Sequence, residues 1–346
     1  MQRQSLTLED VAREAGVSRA TVSRVINDVP SVDPAIRDTV REAIRRTGYT
    51  PNRAARSLVT RRAETVALVV SGAGEESEDA PHAFAARVFA DPFFGRIVSG
   101  VVGYLRTRSI HPVLMFAESP EARTEVLDYL RQGRADGALV VSTHAQDPLP
   151  GLLGEERLPA VCFARPAEPA AVSHVDLDHA EGGALAARHL LDRGRRRVAT
   201  VSGPLDVPAG QQRLDGFRDA MRQAGVARIP VAEGGFTLAS GAAAMTSLLD
   251  AHPDLDAVFA ANDLMAQGVV QVLRERGRRV PQDVAVVGFD DSSVAITCAP
   301  PLTTVRQPVE EMAAAMARIL QEHITGERTE PTSLVFPPRL IVREST

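Results

Sequence analysis

Lysine and tryptophan are absent from this 346-residue chain, and cysteine occurs only twice, at Cys162 and Cys298. Two distant cysteines offer neither a zinc spacing nor a disulfide framework. All 39 basic residues are therefore arginine, as GC-rich coding produces, and that alone carries no functional signal. Long apolar runs are missing too: no stretch reaches the roughly 18 residues of a transmembrane helix. The first residues, Met1 to Glu14, mix charged and polar groups without the apolar core of a secretory signal, so a cytoplasmic protein is expected. Enzyme signatures are lacking as well. No G-x-G-x-x-G, Walker A sequence or G-x-S-x-G elbow occurs, and the eight histidines are scattered. His174 and His179 frame Asp176 and Asp178 in HVDLDH, where a strand end feeding a helix cap is a better reading than a metal site. Gly182 and Gly183 sit inside a helical pattern, where close packing explains them better than phosphate binding. No catalytic residue, metal or cofactor is expected.

What remains is an ordinary globular composition, 44% hydrophobic and 24% charged, on a chain too long for one core. The charge is uneven. Residues 1–62 carry 12 arginines against 7 acidic residues, a net of +5, whereas the rest carries −10. A basic head on an acidic body suits a protein whose head alone meets a polyanion.

The head reads as three short helices. Thr7 is placed to cap the first, with Asp10 imitating a capping box and Leu6 stapling to Val11. Leu8, Val11, Ala12 and Ala15 recur at helical spacing until Gly16 ends the run. Ser18 caps a second helix over Arg19–Ile26, and Asp33 with Pro34 opens a third that closes before Gly48, with Ile36, Val40, Ala43 and Ile44 as its stripe. Two helices joined by a tight glycine turn make a helix-turn-helix. Any three-helix bundle has caps and stripes; the exposed face of the second helix is more specific. Burying Val22, Val25 and Ile26 leaves Arg19, Ala20, Ser23, Arg24 and Asn27 outward. Arginine donates bidentately to guanine and alanine lies against a thymine methyl. Ser18, Thr21 and Ser23 suit phosphate contacts. The following piece, Asn52 to Leu58, is too short for an isolated helix.

The run LTLEDVAREAGVSRATVSRVINDVPSVDPAIRDTVREAIRRTGYTPNRAARSL closely resembles the headpiece of lactose-repressor-like (LacI/GalR) transcription factors. The resemblance implies a DNA-binding headpiece over 5–50, with Arg19, Ala20 and Arg24 reading bases, and a hinge helix and linker over 51–62. In the hinge it implies DNA contacts from Asn52, Ala55, Arg56 and Leu58, the leucine wedging into the minor groove. Thr7 joins the implied DNA contacts.

From Thr65 onward apolar runs alternate with amphipathic stretches. Strands are expected at 66–70, 113–116, 138–141, 160–163, 198–201, 258–261 and 284–289. Helices are expected near 94–107, 122–132, 180–193, 211–224, 240–251, 263–276 and 308–324. This order predicts an α/β body of two doubly wound parallel-sheet subdomains with a ligand cleft between them. DPFFGRIVSGV, DGALVVS, HVDLDHAEGGALAARHLLDRGRRRVATVSGP, VFAANDLMAQGVVQVLRERG, VPQDVAVVGFDDS and PPLTTVRQPVEEM resemble the same family's sensor, itself similar to periplasmic sugar-binding proteins. The resemblance implies a sensor over 63–346, with one subdomain at 63–170 plus 306–328 and the other at 171–305 plus 329–346. It also implies ligand contacts from Phe94, Arg213, Phe236, Asn262, Asp290 and Gln307, an amide, carboxylate and guanidinium set apt for vicinal hydroxyls. The segment 72–91, partly acidic and longer than in many relatives, is expected as a surface loop.

The expected protein is thus a homodimeric repressor binding a near-palindromic operator, controlled by a sugar or sugar derivative, with no membrane partner. A ligand-binding or transport protein without DNA, and an enzyme on a Rossmann-like body, are the competing classes. Whether the ligand weakens or strengthens DNA binding stays open.

Overall fold

The structure is a computed structural model that describes residues 6–26, 29–49, 62–72, 80–142, 144 and 146–346. The chain divides into two compact units, one of Met1–Glu64 with Gly133–Ala135 and one of Thr65–Gln132 with Asp136–Thr346.

In the first unit the caps act as their chemistry demands. Helix α1 (Leu8–Ala15) opens with the Asp10 carboxylate accepting from both the backbone N–H (3.0 Å) and the hydroxyl (2.8 Å) of Thr7. It ends at Gly16, whose φ of 65° is a left-handed conformation that glycine adopts without a Cβ penalty. Helix α2 (Arg19–Ile26) starts where the Ser18 hydroxyl accepts the Thr21 N–H at 3.1 Å. Helix α3 (Pro34–Thr47) starts where the Asp33 carboxylate accepts the Ala35 N–H at 2.9 Å. Val11, Ala12, Val22, Val25, Val40 and Ala43 form the core, and Tyr49, not foreseen, is buried with them. Ile36, expected in the stripe, is 39% exposed.

The second unit contains two six-stranded sheets. The first runs β11-β5-β4-β3-β1-β2, built from β1 (Thr65–Ser71), β2 (His111–Ala117), β3 (Ala138–Ser142), β4 (Ala160–Phe163), β5 (Ser173–Leu177) and β11 (Ser333–Phe336). The second runs β12-β10-β9-β8-β6-β7, built from β6 (Val198–Ser202), β7 (Val231–Glu233), β8 (Ala257–Ala260), β9 (Ala285–Asp290), β10 (Thr303–Arg306) and β12 (Arg339–Ile341). Every pairing is parallel except β10 with β12. Parallel sheets need cover on both faces, and the second sheet shows it in its alternation. Ala257, Phe259, Ala285 and Val287 join one core with Phe217, beneath α8 (His179–Asp192) and α9 (Pro208–Gln223). Val258, Ala260, Val286 and Ala261 join the other, beneath α10 (Leu238–Ala251) and α11 (Asp263–Glu275). The first sheet packs against α5 (Pro92–Arg106) and α13 (Val309–Thr325), while α6 (Pro120–Arg131) lies on β2.

The structure moves two boundaries. Strand β5 pairs with β4 in the first sheet, so the chain changes sheets after Leu177 rather than at 170. The final change falls between Phe336 and Arg339, not near 328, because β11 pairs with β5. Both strands are disguised by polar residues that find partners only in the fold: the Ser173 hydroxyl lies 2.7 Å from His323 Nε2, and Ser333 Oγ lies 2.8 Å from His174 Nε2. The expected loop over 72–91 is corrected in part, since Ala80–Ala90 forms helix α4 ahead of α5. Its alanine-rich composition favours the helix, although the acidic run before it reads as a loop. Two further short helices, α7 (Leu149–Glu155) and α12 (Ser293–Thr297), complete the unit.

Candidate functional site

On the first unit, α2 turns Val22 and Val25 inward and leaves Arg19, Ala20 and Arg24 exposed. Arg19 is held at 3.1 Å from Glu9, a solvent-exposed pair that is weak and readily exchanged for another anion. Ser18 is exposed, while Thr21 and Ser23 are half-buried. The Thr7 hydroxyl is tied to Asp10, and hydrogen bonds from Thr7 hold that carboxyl below its usual range. Asn27, Asn52, Ala55, Arg56 and Leu58 lie outside the described residues.

In the second unit the expected ligand residues other than Phe94 converge at the carboxyl ends of the second sheet's strands, where open α/β sheets bind ligands. Arg213, on α9, is buried with its guanidinium 3.7 Å over the Phe289 ring. Its Nη1 donates to the Ala261 carbonyl (2.6 Å), its Nη2 to Gln307 Oε1 (3.2 Å), and Asp290 Oδ1 stands 3.7 Å away. Asp290 ends β9 and does not cap the next helix; Ser292 does, by accepting the Val294 N–H. The Asn262 amide is largely committed: it caps α11 through Met265 N (2.9 Å) and donates to the Phe236 carbonyl (2.9 Å). That bond braces a turn in which Phe236 has φ of 60°, setting its half-buried ring 5.9 Å from the guanidinium of Arg213. Phe94 is buried on the side of the first sheet, edge-to-face with Phe89 at 5.7 Å, and follows Asp91 at the start of α5.

Several residues of this cluster were not anticipated. Asp263 accepts from the backbone N–H and hydroxyl of Ser292 (2.8 and 3.0 Å) and from the Thr304 hydroxyl (2.7 Å). His179 Nδ1 accepts from Arg213 Nε at 3.2 Å, and its Nε2 faces Asp176 at 3.5 Å. HVDLDH is therefore a strand end and a cap, with Asp178 accepting the Glu181 N–H, and both nitrogens of His179 are engaged. The available signal was the paired His and Asp three residues apart at a strand end, which alone does not point to an arginine on another helix.

One buried guanidinium thus faces Asp290, Asp263, Asp176 and Asp91. Burial pushes Asp290 well above the usual carboxylate range, with Asp263 and Asp91 adding to the shift and Arg213 opposing it. Burial likewise pushes Asp263 up to about 6 against its hydroxyl partners. Such a site offers fixed donors and surplus acceptors, as a ligand that both donates and accepts hydrogen bonds requires.

Burial, then the Arg213 charge, depress the His179 pKa below its ordinary 6.5, while Asp176 and Asp178 oppose. The imidazole is neutral, as acceptance from Arg213 requires. Below pH 6.5 the unfolded chain binds a proton that the fold resists, so the stabilisation from His179 is present above that value and is lost as pH falls. Thermal melts of wild type and His179→Gln between pH 7.5 and 5 are expected to converge on acidification. A constant gap across that range would refute the role.

Comparison with known proteins places these features. Residues 7–52 match the bacterial regulatory proteins of the lacI family, and residues 187–346 match the periplasmic binding protein-like domain. The HTH-type transcriptional regulator CelR of Thermobifida fusca is 49% identical over 99% of each chain. The chain belongs to the lacI family. It is a DNA-binding transcriptional regulator of that family. A CelR–cellobiose complex superposes with a TM-score of 0.75 at 46% identity, covering 99% of this chain and 100% of that one. A lac repressor dimer bound to operator and an anti-inducer superposes with a TM-score of 0.82 at 26% identity, covering 99% of each chain. These lacI-family relatives are regulators rather than enzymes, and among the described residues no single helix is long and apolar enough to cross a membrane.

Proposed function

We propose that this regulator is a cytoplasmic homodimeric repressor released from its operator by a β-linked glucose disaccharide such as cellobiose. The observation carrying the reading is the buried set of Arg213, Asp290 and Gln307 beside the half-buried ring of Phe236. Guanidinium, carboxylate and amide groups pair with vicinal hydroxyls, and an aromatic face suits the apolar side of a pyranose. The similarity to the cellobiose-bound CelR supports the same choice. Phe94 and Asn262 shape the pocket, Asn262 chiefly by holding Phe236.

On DNA, Arg19, Ala20 and Arg24 read base edges, with Thr7, Ser18, Thr21, Ser23 and Asn27 on the backbone. Asn52, Ala55, Arg56 and Leu58 form the hinge contacts in the minor groove. A two-fold dimer doubles the few contacts of one helix-turn-helix and matches them to paired half-sites.

The test is operator binding with and without cellobiose. Arg24→Ala is expected to lower operator affinity by about 1–3 kcal/mol and relax sequence preference while leaving cellobiose affinity unchanged. Asp290→Ala is expected to keep operator binding and lose the response to sugar. Equal losses on operator and random DNA would reassign Arg24 to the phosphates. A full response from Asp290→Ala at ordinary sugar concentrations would move the site elsewhere, and tighter operator binding with cellobiose would make the sugar a corepressor.

A further inference from the structure

Two consecutive non-glycine residues at the end of β9 carry positive φ angles, 106° at Asp290 and 53° at Asp291. Such backbone costs on the order of 1–3 kcal/mol per residue and persists only where surrounding structure over-determines it. Here three arginines from separate parts of the chain hold it. Arg306 Nε donates to Asp291 Oδ2 at 2.8 Å, and Arg343 Nη2 donates to Asp291 Oδ1 at 2.6 Å. Both belong to the second sheet or its tail. The third, Arg96, comes from α5 on the first sheet. Its Nη1 donates to the Asp290 carbonyl at 2.8 Å and its Nη2 to the Gln307 carbonyl at 2.9 Å. Its Nε and Nη2 also form a fork with the two Glu310 oxygens at 2.7 and 2.8 Å.

We propose that Arg96 is a positioning residue for the effector site, a latch from the first sheet's side that sets the main chain of Asp290 and Gln307. It reaches only their backbone, so it acts on ligand through them; this rests on the reading that Asp290 and Gln307 bind the effector. The latch spans the two sheets where the chain crosses from β10 into α13. A change in the relative position of the sheets must break or re-form its two carbonyl bonds. Ligand held by Asp290 and latch engagement are therefore linked through the same strained peptide.

Lysine separates this role from a simple ion pair. It keeps the charge facing Glu310, but as a single ammonium group it cannot reproduce a planar fork that meets two carbonyls and a carboxylate together. In the full-length protein, titration calorimetry with cellobiose is expected to show affinity falling on the order of tenfold for both Arg96→Ala and Arg96→Lys. The thermal midpoint of Arg96→Lys is expected to stay near wild type. Without sugar, amide exchange across 289–292 is expected to accelerate in both variants. Wild-type cellobiose affinity in Arg96→Lys, or unchanged exchange at 289–292, overturns the proposal. If Asp290→Ala, or the wild type itself, shows that cellobiose does not use this site, the effector reading fails, and the sugar-free exchange measurement still decides the latch.

Discussion

Replacing Arg213 by alanine is expected to destabilise the second unit by about 3–5 kcal/mol, the range for removing one partner of a buried charge pair. The residue is 5% exposed and is the cation that Asp290, Asp263, Asp176 and Asp91 share. Without it Asp290 loses its principal counter-charge and keeps only that of Arg96, so it retains its proton to higher pH. A carboxyl whose folded pKa is raised loses stability as pH rises past its unfolded value, about 3.8 here, and the full penalty applies above the folded pKa. The deficit of Arg213→Ala should therefore be larger at pH 8 than at pH 5. Adding Asp290→Asn should recover part of it, because the second change removes a charge that the first left unpaired. Urea unfolding of the two single variants and the double variant checks this. Strict additivity of the two costs, with no dependence on pH, would mean that Arg213 and Asp290 are not energetically joined.

Gly216→Ala is expected to cost about 3 kcal/mol or more, at or above the upper end of ordinary overpacking. Helices α8 and α9 cross so closely that a Cβ at Gly216 would stand 1.9 Å from the Ala180 carbonyl oxygen. The obstacle is backbone, so no rotamer change relieves it. Gly183 makes the reciprocal approach, its Cβ position lying 2.1 Å from the Arg213 carbonyl oxygen. Forcing the helices apart at either point moves the residue that carries the guanidinium. Both alanine variants should thus lose effector affinity along with stability, whereas Gly95→Ala, where a Cβ meets nothing within 4 Å, should lose neither. Comparable melting temperatures for Gly216→Ala and wild type would show that the helices separate without penalty.

How much was legible in the chain follows from where each element finds its partners. The headpiece helices carry their signals locally, in Thr7 with Asp10, Ser18 with Thr21, and Gly16, so their bounds read closely. Apolar strands such as β1, β4 and β9 read equally well. Strand β10 did not, and β5 read only as a strand end at HVDLDH, because Ser173, Thr303 and Thr304 look like loop residues until their distant imidazole, hydroxyl and carboxylate partners are known. Helix α7 hid for another reason: its LPGLLGE sequence holds proline and glycine, both poor helix formers. Within the site, Arg213, Asp290 and Gln307 came from the family resemblance and do meet in space. His179, Asp263 and Arg96 were missed because their roles depend on contacts across 34, 41 and 194 positions of chain.

The three passages between the sheets also bear on how the protein emerges from a ribosome. Strand β11, at one edge of the first sheet, and helix α13, packed on its β4 and β5, both come from the last 38 residues. Strand β12 completes the second sheet later still, and Ser345 is tied by its hydroxyl to the Val286 carbonyl at 2.6 Å. Neither sheet can close until these segments have been made, so the sensor should fold late and as one cooperative event. The headpiece core, whose contacts are confined to residues 8–49, has everything it needs long before. A nascent chain stalled near residue 300 is therefore expected to carry a native headpiece on a protease-sensitive body, able to touch DNA before it can respond to sugar.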